Sequence, residues 1–261
     1  MGHERIGYLP RSKKWNSIVE DIGSYSTNNN NISQIAQSTT KNVRSRFNRI
    51  GNDEGVIAAF KFIILLSQSA KQNNPYNFLY NHEINLPPNF NIFDLAQSVQ
   101  DFISRNENSK EYATFATQSM IDAISEWSKK NQLQQSLVFD ENSSPFEIWR
   151  KASNGAGFCE LSRTFFSSFT ERYLKYFLER EASSKINNLF DRVNFNNQLE
   201  KHIDLISKHA FETSKIAQSF SAGWYNKNTK QGLPSDEAIQ GFLSFTFQKL
   251  NSELLKEEKG E

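Results

Sequence analysis

The chain has a single cysteine, Cys159. No disulfide can form within it, and a reducing compartment, the cytoplasm, is the expectation. Net charge of either sign is also missing: 30 Lys and Arg against 29 Asp and Glu leave +1. That gives no global field to draw in nucleic acid or an anionic membrane, although a local basic patch is left open. No apolar run reaches the roughly 20 residues a bilayer span needs. Residues 56–66, VIAAFKFIILL, come nearest and are interrupted by Lys61. The first residues, MGHERIGYLPRSKKW, contain no apolar run, so no signal peptide is expected. Ile6 stands where a myristoylation signal needs Ser or Thr.

Chemical motifs are scarce too. There is no GxxxxGK[ST], and Gly155-Ala156-Gly157 lacks a preceding strand and the third glycine of a dinucleotide fingerprint. Neither a GxSxG elbow nor a kinase signature set is present. Of the four histidines, His202 and His209 face one side of a helix, with Glu212 a turn beyond His209. This His-x-x-Glu order reverses the Glu-x-x-His of di-iron bundles and has no second copy. A solvated or partly packed histidine pair is the plainer expectation. His82-Glu83 has no partner in sequence, and Cys159-Glu160 has no local histidine. At a helix start the dipole would lower the Cys159 thiol pKa, but a small buried residue is the preferred assignment. No catalytic residue, metal or cofactor is assigned, and an enzyme is not expected.

What the chain has in quantity is phenylalanine, 22 of its 261 residues, within 37% hydrophobic and 13% aromatic content. Each ring stabilises by roughly 1.5–3 kcal/mol when fully covered. The mean hydropathy of −0.64 then describes a globular chain with a polar surface and an aromatic core. The abundance of Asn, Lys, Ile and Phe fits AT-rich codons and hints at a low-GC bacterial or phage genome.

The richest stretch runs from Phe158 to Ala182. Phe158, Leu161, Phe165, Phe169, Tyr173, Tyr176 and Phe177 recur at helical steps and share one face. Glu160, Thr164, Ser167, Ser168, Glu171 and Lys175 fall opposite. Such a helix, following a glycine-flanked break at 154–157, needs other helices to cover its aromatic face.

Around it the periodicity predicts further helices. Residues 1–10 read as an arm, and Trp15, Ile18, Val19 and Ile22 form one stripe. After the polar STNNNN at 26–31, a helix is expected over 32–50 with Ile35, Val43, Phe47 and Ile50 inward. Lys41, Arg44, Arg46 and Arg49 cluster near its C-terminus, where cations suit the dipole; phosphate binding is the functional alternative. The apolar run from Glu54 is expected to be a core helix, with Gly55, Ala58 and Ala59 permitting close approach. Residues 71–91, with Asn74-Pro75 and Pro87-Pro88, read as an irregular connector and candidate contact loop. Helices are expected at 92–105 and 109–129. Residues 132–142 are ambiguous, with a small strand open at 137–139. Ser144-Pro145-Phe146-Glu147 fits a capping box with Pro at the first helical position. Breakers are expected at 187–197, then a helix over 197–222 closed by Trp224 and Tyr225, and a last helix capped by Ser235.

Long helices without a convincing strand ladder predict an all-α multi-helix bundle with long amphipathic C-terminal helices. It divides into an N-terminal arm and helices (1–70), the connector (71–91) and a helical bundle (92–257), or runs as one continuous domain. On the helical wheel Arg172 lies at the edge of the aromatic face and Arg180 on it, so each must pair, stack or meet a partner.

Two segments, GHERIGYLPRSKKW and LSRTFFSSFTERYLKYFLERE, resemble parts of uncharacterised bacterial proteins encoded in small operons, some beside anti-phage defence genes. The resemblance implies an accessory subunit working with a larger effector and transfers no catalytic residue. The expectation is a non-enzymatic interaction subunit or adaptor of a bacterial complex. Its partner would be an operon-encoded effector or a second copy, and Tyr8, Trp15, Phe78, Tyr80, Arg172, Tyr176 and Arg180 are the candidate contact residues. The alternatives are a nucleic-acid module using Lys41, Arg44, Arg46 and Arg49, and a membrane-acting effector using residues 54–70 after rearrangement.

Overall fold

The computed structural model describes residues 13–24, 35, 38–39, 41–42, 49–106, 112–135, 144–213 and 216–256. Within them the chain is an all-α multi-helix bundle, with no strand among the described residues. The helices are α1 Lys13–Gly23, α2 Glu54–Ser69, α3 Pro75–Asn81, α4 Ile92–Asn106, α5 Ala113–Gln135 and α6 Glu147–Ala152, then α7 Gly155–Lys185, α8 Leu189–Thr213, α9 Ile216–Asn228 and α10 Asp236–Lys256. A 3-10 turn, Ile50–Asn52, precedes α2.

Helix α7 contains the aromatic stretch and packs against α1, α5, α6, α8 and α9. Its burial is wider than the predicted single face. Phe166, Leu174 and Leu178 are as fully buried as Phe158, Phe165 and Phe169. All six residues expected on the solvent side are partly covered. The cause is the number of neighbours: a helix enclosed on several sides has no wholly polar face.

Helix α2 is buried nearly all round, as its composition predicts. Its Asp53 cap accepts a hydrogen bond from the Val56 N–H at 3.2 Å. Phe60 sits among rings from two other helices, 5.6 Å from Phe158, 5.7 Å from Phe166 and 5.2 Å from Phe242. Phe247 of α10 adds edge contacts to Phe166 and Phe169. One hydrophobic core thus runs from Ile18 of α1 to Leu250 of α10. Lys61, the charge that interrupts α2, reaches Asp236 in the first turn of α10 at 2.7 Å.

Close crossings set the glycines. A Cβ on Gly55 would lie 2.8 Å from the Ala113 Cα, so α2 meets α5 there as the small residues predicted. Gly155 and Gly157 do not break the chain before α7; they form its first turn, capped by the Asn154 side chain, which accepts from the Gly157 N–H at 2.9 Å. Gly157 lies against the end of α6, where a Cβ would be 2.1 Å from the Lys151 carbonyl oxygen.

Several local expectations need correction. Residues 71–91 include α3, capped by the Asn74 side chain with Pro75 at its first position. That helix ends in a Schellman motif, in which the Ile84 N–H donates to the Leu79 carbonyl and the Glu83 N–H to that of Tyr80. Glu83 takes the left-handed position at φ 63°, and buried Leu79 and Ile84 supply the apolar contact. At 144–147 no capping box forms. The Ser144 hydroxyl accepts from the Phe146 N–H at 3.3 Å, a tight turn, and α6 begins afterwards without a side-chain cap. Residues 132–135 continue α5, while 136–143, including the possible strand, lie outside the described residues. The expected breakers at 187–197 are largely helical. Asn188 caps α8, donation from the Phe190 N–H measuring 2.9 Å, and Trp224 and Tyr225 lie inside α9 rather than closing a longer helix. Of the expected helix at 32–50, residues 35, 38–39 and 41–42 are helical; Ile50 belongs to the 3-10 turn.

Two substitutions test this close approach and the left-handed turn by chemical denaturation. Gly157→Ala should destabilise by about 1–3 kcal/mol, the cost of overpacking a close backbone contact. Glu83→Gly should stabilise by about 1 kcal/mol by relieving the left-handed backbone.

Candidate functional site

The contact residues expected from sequence separate into engaged and exposed groups. On α7, Arg172 donates to the Asp122 carboxylate of α5 at 2.6 Å, both side chains partly covered. Tyr176 packs edge-on against Phe115 and Phe177, and Arg180, exposed, donates to the Tyr176 hydroxyl at 3.2 Å. These three therefore form one row along α7. On α3, Phe78 is partly buried with its ring 4.8 Å from His82, while Tyr80 is 68% exposed. Tyr8 and the Trp15 side chain lie outside the described residues. So do Arg44 and Arg46, whereas Lys41 and Arg49 are exposed. The segment 54–70 expected for membrane insertion is the most buried helix of the core, and no helix among the described residues is long and apolar enough to cross a membrane.

The exposed apolar surface lies mainly elsewhere. Leu189, Phe190 and Val193, at 64%, 77% and 51% exposure, occupy the first turns of α8. Leu189 and Val193 are one helical turn apart and Phe190 stands beside them. Farther along, the same helix turns Phe195 and Leu199 fully into the core. Phe93, 80% exposed, holds the corresponding place at the start of α4. In both cases an asparagine two residues earlier accepts from the phenylalanine N–H, Asn188 at 2.9 Å and Asn91 at 2.7 Å. Periodicity could not find these rings, because it assigns aromatics inward. The readable signal was Asn followed two residues later by Phe, a helix start with its ring ahead of the covered turns.

The titratable groups carry no catalytic constellation among the described residues. Cys159 lies in the second turn of α7, beyond the strongest reach of the dipole, and burial pushes its thiol up while Arg163 pulls the other way. Burial lowers His202, and burial followed by the Lys61 charge lowers His82. The side chains of His209 and Glu212 lie outside the described residues. No His, Cys, Asp and Glu cluster of metal-binding size exists among the described residues.

Two charged features stand out on α7. Lys175 is bonded to Glu171 at 2.7 Å and to Glu200 of α8 at 3.0 Å. Burial draws its amine down, but these hydrogen bonds outweigh it and leave the pKa raised. Glu179 is raised by burial, the nearby Lys175 opposing and Glu200 and Glu171 adding to the rise. The second is a cleft of about 430 Å³ where α5, α7 and α9 meet, lined by Lys130, Cys159, Glu160, Arg163 and Asn226 over Gly155. Lys130 and Glu160 form an ion pair across it.

Because the Glu179 carboxyl holds its proton more tightly folded than unfolded, its ionisation destabilises the fold, and that cost fades as pH falls through the raised pKa. Glu179→Gln should therefore raise the melting temperature at neutral pH, with the gain shrinking in melts recorded toward about pH 4. Comparison with family models, with curated proteins and with solved structures finds no match for this chain.

Proposed function

We propose that the protein is a non-enzymatic helical interaction subunit that docks through the first turns of α8. The observation that carries this is the contiguous apolar surface of Leu189, Phe190 and Val193, where most of the other described rings are buried. Clustered exposed apolar side chains mark contact sites, whereas scattered ones are ordinary. An aromatic anchor flanked by aliphatic residues fits an apolar pocket on a partner protein, and aromatic anchors dominate such interfaces. The candidate partner is a larger effector encoded beside this protein in a bacterial operon, with anti-phage defence as the context; a second copy of the chain is the other occupant. Arg180 and Tyr80, exposed on α7 and α3, are secondary contact candidates.

Phe190→Asp tests this directly. Its ring touches little of the fold, so the variant should melt within a few degrees of the parent, the effect of about 0.5 kcal/mol typical of surface changes. Affinity for the neighbouring gene product, or self-association measured by light scattering, should fall about tenfold or more, as for an interface anchor. An unchanged affinity together with an unchanged oligomeric state would remove α8 as the docking element.

A further inference from the structure

We propose that the cleft between α5, α7 and α9 binds a small organic or inorganic anion, a carboxylate or a phosphate, through the guanidinium of Arg163. The volume, about 430 Å³, lies within the range of small-ligand sites. Its floor is lined by small residues, Gly155 and Ala156 on α7 and Ala222 on α9, where Gly155 lets the two helices approach closely.

The charges decide the ligand class. Lys130 and Glu160 neutralise one another across the cleft. Arg163, one helical turn beyond Glu160 on the same helix, has no ion pair and no hydrogen bond among the described residues. Its side chain nevertheless lines the cleft and is partly covered there. The lining therefore carries one uncompensated positive charge. A cation would be repelled. A purely apolar ligand would cover the Arg163 guanidinium without satisfying its donors, which costs free energy.

An anion that presents two oxygens side by side, a carboxylate or a phosphate, matches the forked donors of arginine. Asn226 supplies a neutral amide on the facing wall. Its nitrogen lies over the first residue of α7, 2.7 Å from where a Cβ on Gly155 would be, and it too makes no hydrogen bond among the described residues. Arginine from α7 and the amide from α9 thus both line the cleft that would hold the anion. Glu160 then sets affinity from the side: it repels the ligand and holds Lys130 away from it.

The test titrates the isotope-labelled protein with sodium acetate and, separately, with inorganic phosphate, at ionic strength held constant with chloride, while following the backbone amides of Ala156 and Cys159 and the Asn226 side-chain amide, which line the cleft in every variant. A saturable shift with either probe is expected. Acetate alone identifies a carboxylate site, phosphate alone a phosphate site, and both a site that reads the shared oxyanion geometry. Arg163→Gln should weaken binding by about tenfold or more, and Arg163→Lys, which keeps the charge but loses the fork, should fall between. Glu160→Gln should tighten binding, because it removes the competing carboxylate and frees Lys130. Opposite signs for Arg163→Gln and Glu160→Gln, in variants whose melting temperatures match the parent, exclude unfolding as the cause. Absence of a saturable shift for both probes, or equal affinity in Arg163→Gln, would overturn the proposal.

Discussion

Burying α7 organises the bundle. A helix of 31 residues, about 46 Å long at the standard rise, carries its large rings on one broad face and buried leucines, Leu174 and Leu178, beyond it. Isolated in water, such a helix would aggregate; in the fold it is enclosed by five other helices. The demand reaches elements that do not lie along it. Phe60 extends the same cluster into α2, and Phe247 extends it into α10. Enclosure also decides what happens to the charges on α7. Glu160, Arg172 and Lys175 each meet an opposite charge on a neighbouring helix, α5 or α8. A charge half-covered by neighbours is tolerated when a partner comes with the covering helix.

The all-helical class was legible because it rests on periodicity, and periodicity survives without tertiary information. The start of α10 was legible because Ser235 at its cap serves a nearby backbone N–H, and that of α2 because an apolar run begins at Glu54. The role of Gly55 could be read since small residues in an otherwise large apolar run have few other uses. Gly155 and Gly157 misled, because glycine ahead of a helix reads as a break when the neighbour that requires it is unseen. Only the proximity of α6 and α9 explains why the helix can afford them. The stretches at 71–91 and 187–197 were under-read as breakers for a shared cause. Asn is scored as a loop former, yet Asn74 and Asn188 act as caps, so in each place the polar residue starts a helix.

The candidate site was less legible than the fold. Arg172 and Tyr176 were singled out because a charge or a hydroxyl on an aromatic face demands an explanation, and the fold supplies an internal one for each. The exposed rings of Phe190 and Phe93 gave no such signal, since an aromatic residue at the head of a helix is expected to tuck inward. Arg163 was missed too: it is unremarkable until α5 and α9 are brought up beside it.

The asparagine caps at Asn91 and Asn188 carry a thermodynamic consequence. A side chain on a loop must be ordered when it docks, and that ordering subtracts from affinity. Phe93 and Phe190 instead project from backbone already fixed by a helix and by a capping bond to their own N–H groups. Their remaining freedom is two side-chain torsions. An anchor of this kind loses little entropy on association, so a small apolar contact can suffice for recognition.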